Sequence, residues 1–191
     1  MFRFRFAGLI LALTGCFAAA SARTEPDPKL APDAKDFAER RARLLERLPA
    51  GSIAFLFGKA SIGDNEKQDA DFFYLTGVEE EGAVVVFDKT ERRTKAAKDA
   101  RGGDILFLKP RDPEAERWTG ERDSAGEGTG QRIGFRYVLR TDSFAESLKD
   151  LALAAREIAH IGRIATHDKP VPPEMSIARA LAERIPGLTL S

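Results

Sequence analysis

Apolar and polar positions alternate along this chain in short runs with different periods. From Asp33 to Leu48 the spacing is helical: Phe37, Leu44, Leu45 and Leu48 can share one face, while Arg40, Arg41, Arg43, Glu46 and Arg47 fall mostly elsewhere. Pro49-Ala50-Gly51 ends that helix. Ser52 to Phe57 (SIAFLF) is an apolar run bounded by glycines and predicts a buried strand. Gly58 to Asp71 is polar and loop-like. Phe72-Phe73-Tyr74-Leu75 is rich in aromatic residues and predicts a second strand, closed by Thr76-Gly77. Glu79 to Gly82 marks a turn, and Ala83 to Phe87 (AVVVF) is the strongest strand signal in the chain. Lys89 to Gly103 is highly charged and predicts a surface excursion before a further buried strand, Asp104 to Leu108.

Beyond residue 110, Pro113 to Trp118 opens with proline and two glutamates, a favourable helix start. Gly126-Glu127-Gly128-Thr129-Gly130 predicts a flexible loop, and Tyr137 to Leu139 a short strand. Phe144, Leu148, Leu151 and Ala155 recur at helical spacing within Ser143 to Ala155. Glu157 to Ile164 predicts a strand, and Met175 to Ile185 a last helix closed by Pro186-Gly187. Alternation of strands and helices after residue 104 predicts an α/β domain with a mixed β-sheet flanked by helices.

The first 22 residues follow a different logic. Arg3 and Arg5 supply a positive start, Ala7 to Ala20 is uncharged and mostly apolar, and Ala20-Ser21-Ala22 is a small-x-small cleavage site. This is the layout of a signal peptide, residues 1–22, and it predicts an exported protein, periplasmic or secreted. The apolar run is short for a membrane span, which takes about 20 residues. Leu13-Thr14-Gly15-Cys16 offers an alternative, a lipoprotein anchored through a lipidated Cys16. Bulky Phe17 disfavours it, and cleavage after Ala22 is preferred. Residues 23–34, rich in proline and charge, read as a linker. The domain proper is expected over 35–191.

Composition narrows the function. Apolar residues make up 43% and charged residues 31%, ordinary for a folded domain. Basic and acidic residues number 30 each; loss of Arg3 and Arg5 would leave 28 basic against 30 acidic. That balance predicts no nucleic-acid partner, and a membrane partner only if Cys16 is lipidated. The single cysteine permits no intramolecular disulfide. His160 and His167, seven residues apart, match no common metal-ligand spacing. The glycine-rich stretch 126–130 lacks the Gly-Lys-Ser/Thr ending of a phosphate loop, and no Gly-x-Ser-x-Gly is present. Asp69, Asp71 and Glu79 to Glu81 follow no calcium-loop pattern and read as a solvated turn. The residues by themselves point to no active site.

Four ordered stretches carry a resemblance. The first is the basic helix Phe37 to Leu48 with the following Pro49 to Leu56. The second is Gln68-Asp69-Ala70-Asp71-Phe72-Phe73-Tyr74-Leu75-Thr76-Gly77, similar to Arg-Gln-x-Ser-x-Phe-x-Tyr-Leu-Thr-Gly. The third is Glu80 to Phe87, like Glu-Pro-x-Ala followed by an apolar strand. The fourth runs from Leu106 to Arg122 and resembles Pro-Arg-Asp…Glu-x-Trp-x-Gly-x-Arg. Together they resemble the N-terminal domain of aminopeptidase P, in the creatinase/prolidase "pita-bread" superfamily. Departures are Lys67 for arginine, Ala70 for serine, Glu81 for proline, and Asp123-Ser124 for Leu-Gly.

The resemblance implies a non-catalytic domain of a metalloaminopeptidase that removes N-terminal residues preceding proline. In that family a second domain does the chemistry with two divalent metals, often manganese, held by two Asp, one His and two Glu, all expected beyond Ser191. This chain would then bind no metal itself and would pair with a catalytic metallopeptidase domain, in cis or separately encoded, with a homo-oligomer as a further expectation. Its role would be to shape active-site access and support assembly. Gln68, Tyr74, Trp118 and Arg122 are the motif residues implied at the substrate entrance, with Trp118 partly exposed at a rim; packing of Trp118 as a core anchor is the competing reading. A stand-alone exported binding or assembly module that has lost catalysis is the alternative function.

Overall fold

A computed structural model describes residues 33–59, 68–90, 102–162 and 171–191. The expected leader with Cys16, most of the expected linker, Lys67, His167 and most of the charged stretch after Lys89 lie outside these residues. Among the described residues six strands form one sheet in the order β4-β3-β2-β1-β5-β6. They are β1 (Ser52–Phe57), β2 (Val84–Asp88), β3 (Gly103–Leu108), β4 (Tyr137–Arg140), β5 (Glu157–Ile158) and β6 (Thr189–Leu190). β1, β2 and β3 are antiparallel, with Phe55 opposite Val86 and Val85 opposite Leu106. β4 joins β3 in parallel, as β5 joins β1 and β6 joins β5. The sheet is mixed, as expected.

Successive strand residues point to opposite faces, and the apolar central strands bury both. Ala54, Leu56, Val85, Phe87, Leu106 and Leu108 face one cluster. It is covered by α1 (Ala34–Arg47), α2 (Ala70–Thr76) and the end of α4 (Glu127–Ile133) through Leu48, Phe72, Leu75 and Phe135. Ile53, Phe55, Val84, Val86, Ile105 and Phe107 face the other, covered by α5 (Phe144–Ala154) and α6 (Pro173–Arg184). Phe144 meets Phe55, Phe57 and Phe107 edge-on, with centroids 5.4–6.5 Å apart.

Several expectations are corrected. Phe72 to Leu75 is helical, within α2, and not a strand. Asp69 accepts from the backbone of Asp71 and Phe72, both at 2.9 Å, and Gly77 closes the helix at φ +67°. These caps outweigh the β-propensity of the aromatic run. Residues 127–130 open α4 instead of forming a loop; the stretch packs so closely that a side-chain carbon on Gly130 would lie 2.5 Å from the Phe135 carbonyl oxygen. Arg41 is the third. It does not sit on a solvated face but is 1% exposed, in the stripe Phe37-Arg41-Leu44-Leu48. The expected strand from Glu157 shrinks to β5, and β6 is an edge strand that its two exposed residues did not signal.

Arg41 ties the upper layer together. Its Nε donates to Asp104 at the start of β3, one terminal nitrogen to the Leu75 carbonyl at 3.0 Å, and the other to the Gly134 carbonyl. Its guanidinium lies 3.7 Å from the centroid of Phe135. Burial holds its pKa below the usual arginine range, and Asp104 partly offsets that. Asp88, 2% exposed at the end of β2, is the second buried charge among the described residues. One oxygen accepts from Thr90 N (2.7 Å) and Oγ1 (2.6 Å); the other has no partner among the described residues. Burial pushes its carboxyl above the usual aspartate range, against the hydrogen bonds from Thr90 and Gly102.

Candidate functional site

The fourth sequence motif folds into a brace that displays one side chain. β3 runs out at Leu108, and α3 (Pro113–Thr119) begins after two residues that organise it. Asp112 caps the helix by accepting from Glu114 N at 3.0 Å and Ala115 N at 3.3 Å, with Pro113 in the first turn. Arg111 donates from Nε to both oxygens of Glu116, at 2.9 and 3.1 Å, and also contacts Glu121 at 3.2 Å. Arg111 holds the Glu116 carboxyl below the usual glutamate range, and the Arg122 backbone adds to this. Gly120 ends the helix at φ +87°, conformational space that a side chain would strain. Trp118 stands on this brace 88% exposed. Its ring is therefore no core anchor of the described domain.

The other motif residues fall in different places. Gln68 is tucked inward: both amide atoms are buried with no partner among the described residues, and a Cβ on Gly58 would lie 3.1 Å from its nitrogen. Tyr74 is 55% exposed, and the Arg40 guanidinium lies 4.4 Å from its ring centroid while donating to the Tyr74 carbonyl at 3.0 Å. Arg122 reaches Glu81 at 3.7 Å. The four residues do not converge on one pocket. Sequence reasoning missed Arg111 and Glu116 as a pair; their five-residue separation across a helix start, behind an Asp-Pro cap, was the available signal.

Two grooves flank α2. The larger, about 590 Å³, is lined by Phe73, the turn Val78 to Glu81, Glu121 to Asp123 and Arg132 among others. Two of the departures noted above, Glu81 and Asp123, lie here; Glu81 also binds Lys109 at 3.1 Å, and Asp123 pairs with Arg132. The smaller, about 300 Å³, is lined by Arg40, Arg43, Leu44, Arg47, Tyr74 and Leu75.

Neither groove resembles a hydrolytic centre. Among the described residues no three His, Cys, Asp or Glu side chains are grouped to hold a metal ion. These residues therefore do not fit a dinuclear metal site. Among them, too, no helix is long and apolar enough to cross a membrane.

Such a sheet, with a capped aromatic helix on one face and an Arg-Asp…Glu-x-Trp brace after its third strand, defines a mixed α/β domain. The model for the aminopeptidase P N-terminal domain matches residues 37–159, and the chain belongs to that family. The chain is 30% identical over 138 residues to the Xaa-Pro aminopeptidase of Haemophilus influenzae, covering 69% of this chain and 30% of that protein. It is 34% identical over 105 residues to the Escherichia coli Xaa-Pro aminopeptidase, covering 50% and 22%. Among solved structures, E. coli aminopeptidase P superposes with a TM-score of 0.62 at 23% identity, covering 84% of this chain and 37% of that one. That likeness establishes the fold. The chain thus spans less than two-fifths of the length of these relatives, in agreement with the resemblance read from the motifs.

Proposed function

We propose that this chain acts as the non-catalytic N-terminal domain of an exported metal-dependent Xaa-Pro aminopeptidase, where it shapes access to the active site of a partner catalytic domain. The observation that carries the reading is the rigid presentation of Trp118 on a motif otherwise used up in capping and ion pairing. A side chain that large, held outside the core by so much local structure, is placed to meet something else. Two manganese ions in the catalytic domain would supply the activated water; this domain would supply a wall of the entrance, and assembly into a homo-oligomer would bring Trp118 to a neighbouring subunit.

The test is an assay of the purified chain with manganese and an Xaa-Pro peptide. No release of the N-terminal residue is expected, and measurable turnover would refute the accessory role. With a catalytic metallopeptidase domain present, Trp118→Ala is expected to raise KM for longer peptides while kcat changes little. An unchanged KM would remove Trp118 from the entrance. Export is tested by intact mass: a mature chain beginning at Arg23 supports cleavage after Ala22, whereas a diacylated Cys16 would replace it with the lipoprotein reading.

A further inference from the structure

Of the two grooves beside α2, the smaller has no internal answer to its charge. Arg40, Arg43 and Arg47 line it with Leu44, Tyr74 and Leu75, and no carboxylate does. In a chain with 30 basic and 30 acidic residues this is local segregation. The three arginines fall within about 60° of arc on α1. Glu39 and Glu46 of the same helix lie outside the groove, and Glu39 faces Lys35 at 3.9 Å. Arg43 and Arg47 are exposed, and neither enters an ion pair among the described residues. Arg40 is already oriented. Its guanidinium lies 5.1 Å from the Phe37 ring centroid and 4.4 Å from that of Tyr74, and one terminal nitrogen donates to the Tyr74 carbonyl at 3.0 Å. A guanidinium carries several N–H donors, so the others are left for a ligand.

The spacing of the arginines selects the shape of that ligand. Arg40 and Arg47 stand about 10 Å apart along the helix axis. A single tetrahedral anion would engage only part of such a row. A linear ligand can follow it: in an extended polyproline II segment, residues three apart share a face and lie about 9 Å from each other. A carboxylate at each of those positions can accept two N–H bonds from one guanidinium. Apolar side chains between them would rest on Leu44 and Leu75 and against the Tyr74 ring, which is 55% exposed. We propose that this groove docks an extended acidic peptide segment of a partner protein, its carboxylates set against Arg40, Arg43 and Arg47. The larger groove of a second copy is a poor occupant, because its carboxylates are already engaged: Glu81 with Lys109 and Arg122, Asp123 with Arg132, Glu121 with Arg111. The inference does not rest on the accessory role proposed above.

The probe is a fluorescein-labelled synthetic peptide, Glu-Pro-Leu-Glu-Pro-Leu-Glu, titrated with the purified protein and followed by the anisotropy of the label. Saturable binding is expected, weaker as salt rises. The same peptide with glutamine at its three acidic positions should not bind. Arg43→Glu/Arg47→Glu should weaken binding by about tenfold or more. Arg43→Lys/Arg47→Lys keeps the charge but loses bidentate pairing, and its affinity should fall between the two. The lysine variant and the glutamine peptide keep the test independent of any folding defect in the charge reversal, which circular dichroism would reveal. No saturable binding of the acidic peptide, or binding that a folded charge-reversed variant retains in full, would overturn the proposal. So would binding of phosphatidylglycerol vesicles or of inorganic phosphate by the same arginines without binding of the peptide. A negative result here leaves the accessory role untouched.

Discussion

Two arginine–carboxylate pairs in this molecule have the same chemistry and opposite meanings. Arg41 and Asp104 join α1 to β3 inside the domain, where Arg41 is 1% exposed and burial depresses its pKa. Arg111 and Glu116 join the two ends of a surface turn, and there the carboxylate raises the arginine pKa. In the first, desolvation dominates, and the pair persists because three elements supply acceptors for one guanidinium. In the second, Arg111 stays in contact with water while the Glu116 side chain is largely covered, and the pair's contribution is geometric: it fixes the base from which Trp118 projects. A buried pair is costly to break, while an exposed one is cheap to break but decides where something points.

The sharpest way to break the comparison is Arg41→Met. Methionine keeps much of the volume but leaves the Leu75 and Gly134 carbonyls and Asp104 without their donor. Loss of one partner from a buried pair costs about 3–5 kcal/mol. A fall of that size in unfolding free energy is expected in urea, and a loss below about 1 kcal/mol would mean the pair adds little to the core. Gly77→Ala attacks the same region through the backbone. Gly77 holds φ +67° against the Phe37 ring, whose nearest atom would lie 2.4 Å from a new Cβ. Strain and overpacking together predict a loss of about 2–4 kcal/mol, with α2 shifted away from α1.

These residues also show how far the sequence could be read. β1, β2 and β3 were legible because they are uninterrupted apolar runs, and α1, α5 and α6 because their periodicity is helical. Arg41 was not, because residue type outweighed position: residues 37, 41, 44 and 48 define the inner stripe, yet arginine reads as solvent-facing. In α2 the propensity of four aromatic and apolar residues masked the caps at Asp69 and Gly77 that decide its conformation. In α4 two glycines and a third just before it hid a helix that needs Gly130 for close packing. The motifs identified the family, but the division of labour inside the fourth, with Arg111 and Glu116 bracing and Trp118 displayed, depends on distances that no spacing states.

Asp88 sharpens the comparison as a buried carboxylate for which no ion pair is found among the described residues. Its raised pKa means that the folded state binds a proton more tightly than the unfolded chain. Stability should therefore fall as pH rises from the ordinary aspartate range through the raised value, and the penalty is complete above it. Asp88→Asn keeps an acceptor for Thr90 and removes the charge. A gain of about 1 kcal/mol is expected at neutral pH, fading as pH falls into the aspartate range. A loss at neutral pH would show that the ionised form is stabilised by a contact outside the described residues.

Arg111→Gln has the smallest expected effect on stability and the most specific readout. With Arg111 half-exposed and a donor from the Arg122 backbone left to Glu116, the unfolding midpoint is expected to shift only slightly. Trp118 is the only tryptophan in the chain, so its fluorescence anisotropy reports on α3 alone. With Arg111 removed, Glu116 loses the donors that anchor it and the ring should reorient faster, lowering anisotropy in the native protein. The pH dependence has a fixed sign. Glu116 is held below its usual pKa, so the brace is complete above the ordinary glutamate range and is lost as pH falls through the depressed folded value. Native anisotropy should drop in acid at that step, which the variant lacks. Equal anisotropy in the two proteins would mean that the Asp112 cap alone holds Trp118 in place; the exposed pair would then position nothing, and its contrast with Arg41–Asp104 would be one of burial only.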